Sequence, residues 1–193
     1  EMRINEYEAA RLHTDEGRKA SLHFSCAGLP EKWLRGDIFF HLLGHHIGQR
    51  AGRRVPVISG LPKETTPDNL KALCAAGAAS GGIELLHAVG VTPEAPSLAA
   101  ISIAREELAV TRQDIKAAQR ELSTAADGPL DCVALGTPHF SIAEFSQLVS
   151  LLAGRKVKAT TLISTSRGVR EMLVAKGWAK ILTDAGITIP VDV

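Results

Sequence analysis

The sequence predicts an α/β fold of mostly parallel sheets flanked by helices, ending in a βαβαβ unit. Three observations carry this expectation. Beyond Asp127-Gly128-Pro129, apolar runs alternate with helical periodicity as strand 130–135, helix 141–153, strand 158–163, helix 166–184 and strand 187–191, with Gly154 and Gly186 as helix stops. Such alternation implies a parallel sheet joined by right-handed crossovers. Next, Ser141-x-x-Glu144 is a capping box ahead of the periodic apolar residues Phe145, Leu148, Leu151 and Leu152. Finally, 193 residues that are 45% hydrophobic and 22% charged can bury a core.

The earlier elements follow in order. Ala20-Ser21-Leu22-His23-Phe24-Ser25 reads as a strand that stops at Gly28-Leu29-Pro30. Residues 37–48 read as a helix packed closely through its glycines, and Arg54-Val55-Pro56-Val57-Ile58 as a short strand. Thr66-Pro67-Asp68-Asn69-Leu70 opens a helix with Pro in its first turn, and Leu70, Leu73, Cys74 and Gly77 share one of its faces. The apolar run 83–89 predicts a strand leading into the two-proline loop Gly90-Val91-Thr92-Pro93-Glu94-Ala95-Pro96. Residues 104–124 are charged and helical in composition. The expected organisation is a first α/β region over 1–103, a connecting helix within 104–128 and a βαβαβ subdomain over 129–193.

Composition narrows the partners. A net charge of +1, with basic and acidic residues intermixed, gives no field for nucleic acid or an anionic membrane. No apolar stretch approaches the roughly 20 residues that span a bilayer, and the N-terminus has no signal-peptide core, so a cytoplasmic setting is the default expectation. The three cysteines, Cys26, Cys74 and Cys132, are odd in number and far apart, against a disulfide framework or a C-x-x-C knuckle. Cys74 and Cys132 read as small core residues. Starting at Glu1 rather than Met hints at a piece of a longer protein.

The chemistry concentrates at strand ends. His139 and Ser141 sit where a strand gives way to a helix N-terminus, a place that favours an anion. His139 is suited to acid–base work or to a fixed hydrogen bond, and its plain alternative is a loop histidine that ties down the turn after Pro138. Ser141 has a strong structural explanation as the helix cap, with ligand contact as the alternative. Ser164-Thr165-Ser166-Arg167 joins hydroxyls to a guanidinium at another helix start, on the same sheet edge, and makes a cradle for carboxylate or phosphate, again with capping as the alternative. Thr92-Pro93-Glu94 offers a carboxylate in a rigid turn, for a cap or a substrate. His41, His45 and His46 share a helix but lack the glutamate of H-E-x-x-H and lie among Leu and Ile, so they read as core or interface histidines and no metal site is assigned. No G-x-S-x-G, Walker loop or complete dinucleotide fingerprint is present.

The run from Leu70 through Ser80-Gly81-Gly82 to His87-Ala88-Val89-Gly90-Val91-Thr92-Pro93-Glu94-Ala95 resembles the aconitase X family. So do Leu135-Gly136-Thr137-Pro138-His139-Phe140-Ser141, Ser164-Thr165-Ser166-Arg167, Arg3-x-Asn5-x-Tyr7, Leu12-His13 and Glu16-Gly17-Arg18. The resemblance implies an aconitase-like fold and part of the catalytic region of an iron–sulfur hydro-lyase that dehydrates a small hydroxy acid, such as cis-3-hydroxy-L-proline or mevalonate 5-phosphate. It implies a substrate carboxylate, a swivelling small domain or subunit without counterpart here, and a cleft lined by Arg3, Asn5, His13, His87, Thr92, Glu94, His139, Ser141, Ser164, Thr165, Ser166 and Arg167. Of these, His139, Ser141 and Ser166 are the candidates nearest the chemistry, and Arg167 with the hydroxyls of 164–166 is the candidate anion holder. The sequence departs from the family in two places. Only Glu8-Ala9-Ala10-Arg11 separates the Arg-x-Asn-x-Tyr and Leu-His motifs, where a longer cysteine-bearing segment is usual, and the cysteine usual about two residues after an Asp matching Asp192 would fall past Val193, where this sequence stops. An iron–sulfur cluster is therefore expected in the full-length protein with no ligand identifiable in this chain. The rival reading is a non-catalytic anion-binding or assembly module that lacks the cluster, and a weaker one is a cluster-free enzyme using His139 with Arg167.

Overall fold

In the computed structural model, which describes residues 11–125 and 127–192, the chain forms two compact units, Glu1–Thr124 and Ala125–Val193. The first contains strands β1 (Leu22–Ser25), β2 (Pro56–Ser59), β3 (His87–Ala88) and β4 (Glu107–Ala109). They form one all-parallel sheet in the order β3-β2-β1-β4. Its helices are α1 (Glu31–Leu34), α2 (Asp37–Ala51), α3 (Pro67–Gly81), α4 (Leu98–Ile101) and α5 (Arg112–Leu122).

Strand side chains alternate between faces, and the register sorts them. Phe24, Ile58 and Ala88 enter a core with Phe40, Leu43, Ile47 and Leu73 from α2 and α3. On the other face Val57 lies opposite both His23 and His87, and His23 lies opposite Glu107, so His87, Val57, His23 and Glu107 form one row across four strands. The helix pair α2 and α3 is the most intimate packing in the unit, as the glycine spacing predicts. A Cβ at Gly81 would sit 1.8 Å from the Gly48 carbonyl oxygen. Thr66 caps α3 in a capping box with Asn69, and Pro67 occupies the first turn as expected.

Two expectations for this unit are corrected. Residues 104–124 are not one connecting helix: β4 pairs with β1, and α5, capped by Thr111 and Asp114, packs on α2. Charge masked the strand, because β4 is a sheet edge on which Glu107 and Ala109 are exposed and only Leu108 turns inward. The run 83–89 is a strand only at His87–Ala88. Ile83 and Leu86 are nonetheless buried in the core, which accounts for their apolar character.

The second unit is the expected parallel βαβαβ arrangement, with β5 (Cys132–Leu135), α6 (Ile142–Leu152), β6 (Thr160–Ile163), α7 (Arg167–Ala175), α8 (Trp178–Asp184) and β7 (Ile187–Thr188), in strand order β5-β6-β7. Its core gathers Phe145, Leu152, Ile163, Leu173, Leu182 and Ile187. Three details differ from expectation. The helix read over 166–184 breaks at Gly177, whose φ of +71° starts α8 in a new direction. Leu151 is 69% exposed rather than core, because Leu152 and Phe145 take the buried side of α6. Finally, β5 reads as a buried strand from its apolar run, yet as the sheet's edge it exposes Cys132, Ala134 and Leu135.

Candidate functional site

In the second unit the two predicted strand-end segments meet. The parallel register β5–β6 brings the turn after Leu135 against Ser164, with the Ser164 N–H donating to the Leu135 carbonyl at 2.9 Å and the Phe140 N–H donating to the Ser164 carbonyl at 2.9 Å. The Thr165 hydroxyl donates to the Phe140 carbonyl at 2.6 Å. The turn contains a cis Thr137–Pro138 bond and ends on Phe140, whose ring stands edge-on to Phe145 at 4.9 Å. Gly136 makes the approach possible, since its φ is +96° and a Cβ there would meet the Ser164 carbonyl oxygen at 2.1 Å.

The side chains divide by task. Ser141 is the cap of α6, its Oγ accepting from the Glu144 N–H at 3.1 Å while Glu144 accepts from the Ser141 N–H at 2.7 Å. Ser166 caps α7 by accepting from the Val169 N–H at 3.3 Å; a hydroxyl oxygen used in this way keeps its own proton to donate. Thr165 is fully buried, so its hydroxyl holds the two segments together rather than reaching a ligand. Ser164 is half-buried, and His139 is exposed on the turn. Arg167 is 79% exposed and has a partner that sequence reasoning missed: Asp192 accepts from its guanidinium at 3.0 Å and from its backbone N–H at 3.1 Å. A carboxylate thus already sits on the start of α7, where helix polarity and guanidinium favour an anion.

In the first unit the loop after β3 closes on itself. The Thr92 Oγ1 accepts from the Ala88 N–H at 3.0 Å and lies 3.2 Å from the Ala88 carbonyl, which presents Glu94 at the tip. Glu94 takes a two-point contact from Arg18, with Nε to Oε2 at 3.0 Å and a terminal nitrogen to Oε1 at 2.5 Å. Arg18 also donates to the Leu12 carbonyl, and the Arg18 carbonyl lies 2.8 Å from Nε2 of the buried His87. Because that partner is a carbonyl, Nε2 must carry the proton, and His87 is a donor here. His13 is exposed, and Arg3 and Asn5 lie outside the described residues. Arg18 is marked in the sequence only through the Glu16-Gly17-Arg18 motif, and nothing there points to Glu94, 76 residues away.

The Arg18 hydrogen bond holds the Glu94 carboxyl below its ordinary value. A carboxylate depressed in the folded state stabilises above its unfolded value and loses that contribution as pH falls through the depressed one. Glu94→Gln is therefore expected to lower the urea midpoint at pH about 7 and to leave it nearly unchanged at a pH below the depressed carboxyl value. An equal loss at both values would show that charge is irrelevant to this contact.

The cysteines do not fit a cluster. Cys26 is buried at the end of β1 with its thiol pushed up to about 12 by burial, whereas Cys74 on α3 and Cys132 on β5 are exposed, the reverse of the core placement expected of them. His46 is buried edge-on to Phe24, His45 pairs with Glu121 at 2.9 Å and His41 is exposed. Among the described residues no group of three or more His, Cys, Asp or Glu could hold a metal ion, and no helix is long and apolar enough to cross a membrane.

Comparison with known proteins bears on the same segments. Residues 22–120 match the model of the aconitase X second domain, and residues 130–193 that of the aconitase X third domain. The chain is 37% identical over 190 residues to a cis-3-hydroxy-L-proline dehydratase of Hypocrea jecorina, covering 94% of this chain and 31% of that protein. It is 32% identical over 176 residues to the phosphomevalonate dehydratase large subunit of Methanocaldococcus jannaschii, covering 90% and 43%. The crystal structure of Thermococcus kodakaraensis aconitase X in its holo-form superposes with a TM-score of 0.83 at 32% identity, covering 94% of this chain and 45% of that one. The chain therefore spans about a third to under half the length of these relatives.

Proposed function

The chain belongs to the aconitase X family, and from that premise we propose that it forms part of the catalytic region of a hydro-lyase dehydrating a small hydroxy acid such as cis-3-hydroxy-L-proline. The observation that carries this reading is the hydrogen-bonded junction of 136–141 with 164–167, which gathers His139, Ser164, Ser166 and Arg167 at one strand edge beside two helix starts. Elimination of water needs the substrate anion fixed while one proton leaves carbon and another reaches the departing hydroxyl. Arg167, with the Ser164 and Ser166 hydroxyls, is the proposed anion holder, and it exchanges the Asp192 carboxylate for that of the substrate. His139 is the proposed group that orients substrate or water, with Ser141 fixing the turn that carries it. In the first unit His13 and Glu94 are the proposed substrate-contacting positions, and His87 and Thr92 brace the loop that presents Glu94.

An iron–sulfur cluster suits the family, but the three dispersed thiols do not supply a ligand set, so we place its ligands outside the described residues. A swivelling small domain or subunit is the proposed partner, in a cytoplasmic setting. The test is dehydration of cis-3-hydroxy-L-proline and of phosphomevalonate by the full-length protein, reconstituted anaerobically with iron and sulfide. Turnover of either is expected, and Arg167→Ala should raise KM about tenfold or more, the loss of one charged hydrogen bond, without altering the fold, given its exposure. A cluster-loaded protein that turns over neither compound would overturn the reading. The dispersion of the thiols favours one other, an anion-binding or assembly module, which predicts no cluster absorbance after reconstitution.

A further inference from the structure

The row His87, Val57, His23 and Glu107 carries two histidines in opposite roles. His87 spends its Nε2 proton on the Arg18 carbonyl. His23, buried on β1, instead has its Nε2 2.8 Å from the Ser59 hydroxyl, while its Nδ1 faces the Glu107 carboxylate at 3.6 Å. At that distance, just beyond a hydrogen bond, the Glu107 carboxylate acts by charge alone and favours the tautomer protonated at Nδ1, which leaves Nε2 as acceptor and the Ser59 hydroxyl as donor. The arrangement is a hydroxyl, a base within hydrogen-bond reach, and a carboxylate on the far side of the base; this is the order of groups in an activated nucleophile. Three adjacent strands supply it: Ser59 ends β2, His23 lies on β1 and Glu107 on β4. Ser59 is half-buried and Glu107 exposed, so the hydroxyl lies near solvent while the imidazole is shielded from it.

We propose that Ser59, His23 and Glu107 form an acyl-accepting serine site for small carboxylic esters, a chemistry distinct from dehydration that calls on neither a cluster nor a partner subunit. The Ser59 Oγ adds to the ester carbonyl carbon as its proton passes to His23 Nε2. The adduct expels the alkoxide, which takes that proton and leaves as the alcohol. Water, deprotonated by the same nitrogen, then attacks the acyl-serine, releases the carboxylic acid and restores the Ser59 O–H. Glu107 acts only through His23, by setting its tautomer and balancing the imidazolium charge.

The test is incubation of the full 193-residue chain with p-nitrophenyl acetate, followed by stopped-flow absorbance and peptide mass mapping. The expected result is a burst of one equivalent of p-nitrophenolate with the acetyl group on Ser59, abolished by Ser59→Ala. Glu107→Gln, a change at an exposed residue, should slow the burst about tenfold or more while circular dichroism is unchanged, and His23→Gln should slow it about a hundredfold. Absence of a burst, an acetyl group mapped to any other residue, or a burst that survives Ser59→Ala overturns the proposal. If Ser59→Ala does not fold, the mapped position in the unaltered chain decides. Loss of dehydratase activity in the full-length protein has no bearing on this readout, so the two readings fail separately.

Discussion

Gly44→Ala is expected to destabilise the first unit by about 2–3 kcal/mol, the ordinary cost of forcing an extra methyl into a closely packed seam. A Cβ at Gly44 would lie 2.3 Å from the Leu73 carbonyl oxygen and 2.9 Å from the Ala76 Cβ. The first of these is backbone of α3, which cannot swing aside as a long side chain could. Relief requires α2 and α3 to separate, and with them the layer formed by Leu43, Ile47 and Leu73. Alanine's better helix propensity returns only about 1 kcal/mol. A urea denaturation followed by far-ultraviolet circular dichroism reads the effect. Gly28→Ala, with nothing within 4 Å of its Cβ, is the control expected to be near neutral. An unchanged midpoint in Gly44→Ala would mean that the seam is far more yielding than its geometry.

Gly136→Ala is expected to cost the second unit about 3 kcal/mol or more, because two penalties coincide. The φ of +96° is hostile to any side chain, and the added Cβ would stand 2.1 Å from the Ser164 oxygen and 2.7 Å from its nitrogen. Ser164 is held on both sides, donating to Leu135 and accepting from Phe140, so it cannot retreat without breaking the junction that presents His139 and Arg167. Stability and substrate binding should therefore fall together. Gly177→Ala separates the two penalties. Its φ of +71° is also positive, but nothing lies within 4 Å, and about 1 kcal/mol of backbone strain is all that is expected. If both variants unfold at the same urea concentration, the contact with Ser164 contributes nothing.

Much of this architecture was legible because it is written in local pattern. Thr66, Thr111 and Ser141 each cap a helix three residues before an Asn, Asp or Glu that bonds back. In two of the three, the start was readable from the sequence before any contact was known. The alternation after residue 129 dictated a parallel sheet, and parallel strands bring their carboxyl ends to one edge, so the meeting of the Gly136 turn with Ser164 followed from periodicity. What misled were compositions with two meanings. The charged β4 and the apolar β5 are both edge strands, one read as helix and the other as buried, because sequence shows what a residue is and not whether a neighbouring strand lies beyond it. Cys132, read as core, is exposed on β5 for the same reason.

The candidate site divides along the same line. The sequence by itself determined the α/β class, the strand-end location of the hydroxyls and histidine, and the family to which those motifs belong. The first two rest on interactions within a few residues of one another or on periods of two and 3.6 that survive without coordinates, and the family rests on the resemblance of its motifs. Only the tertiary structure decided which side chains are already spoken for: Arg18 on Glu94 across 76 residues, Arg167 on Asp192 across 25, and His23 poised on Ser59 while His87 serves a carbonyl. Hydrogen bonds act over about 3 Å, and strand register and loop closure, not spacing along the chain, determine which distant groups come that close.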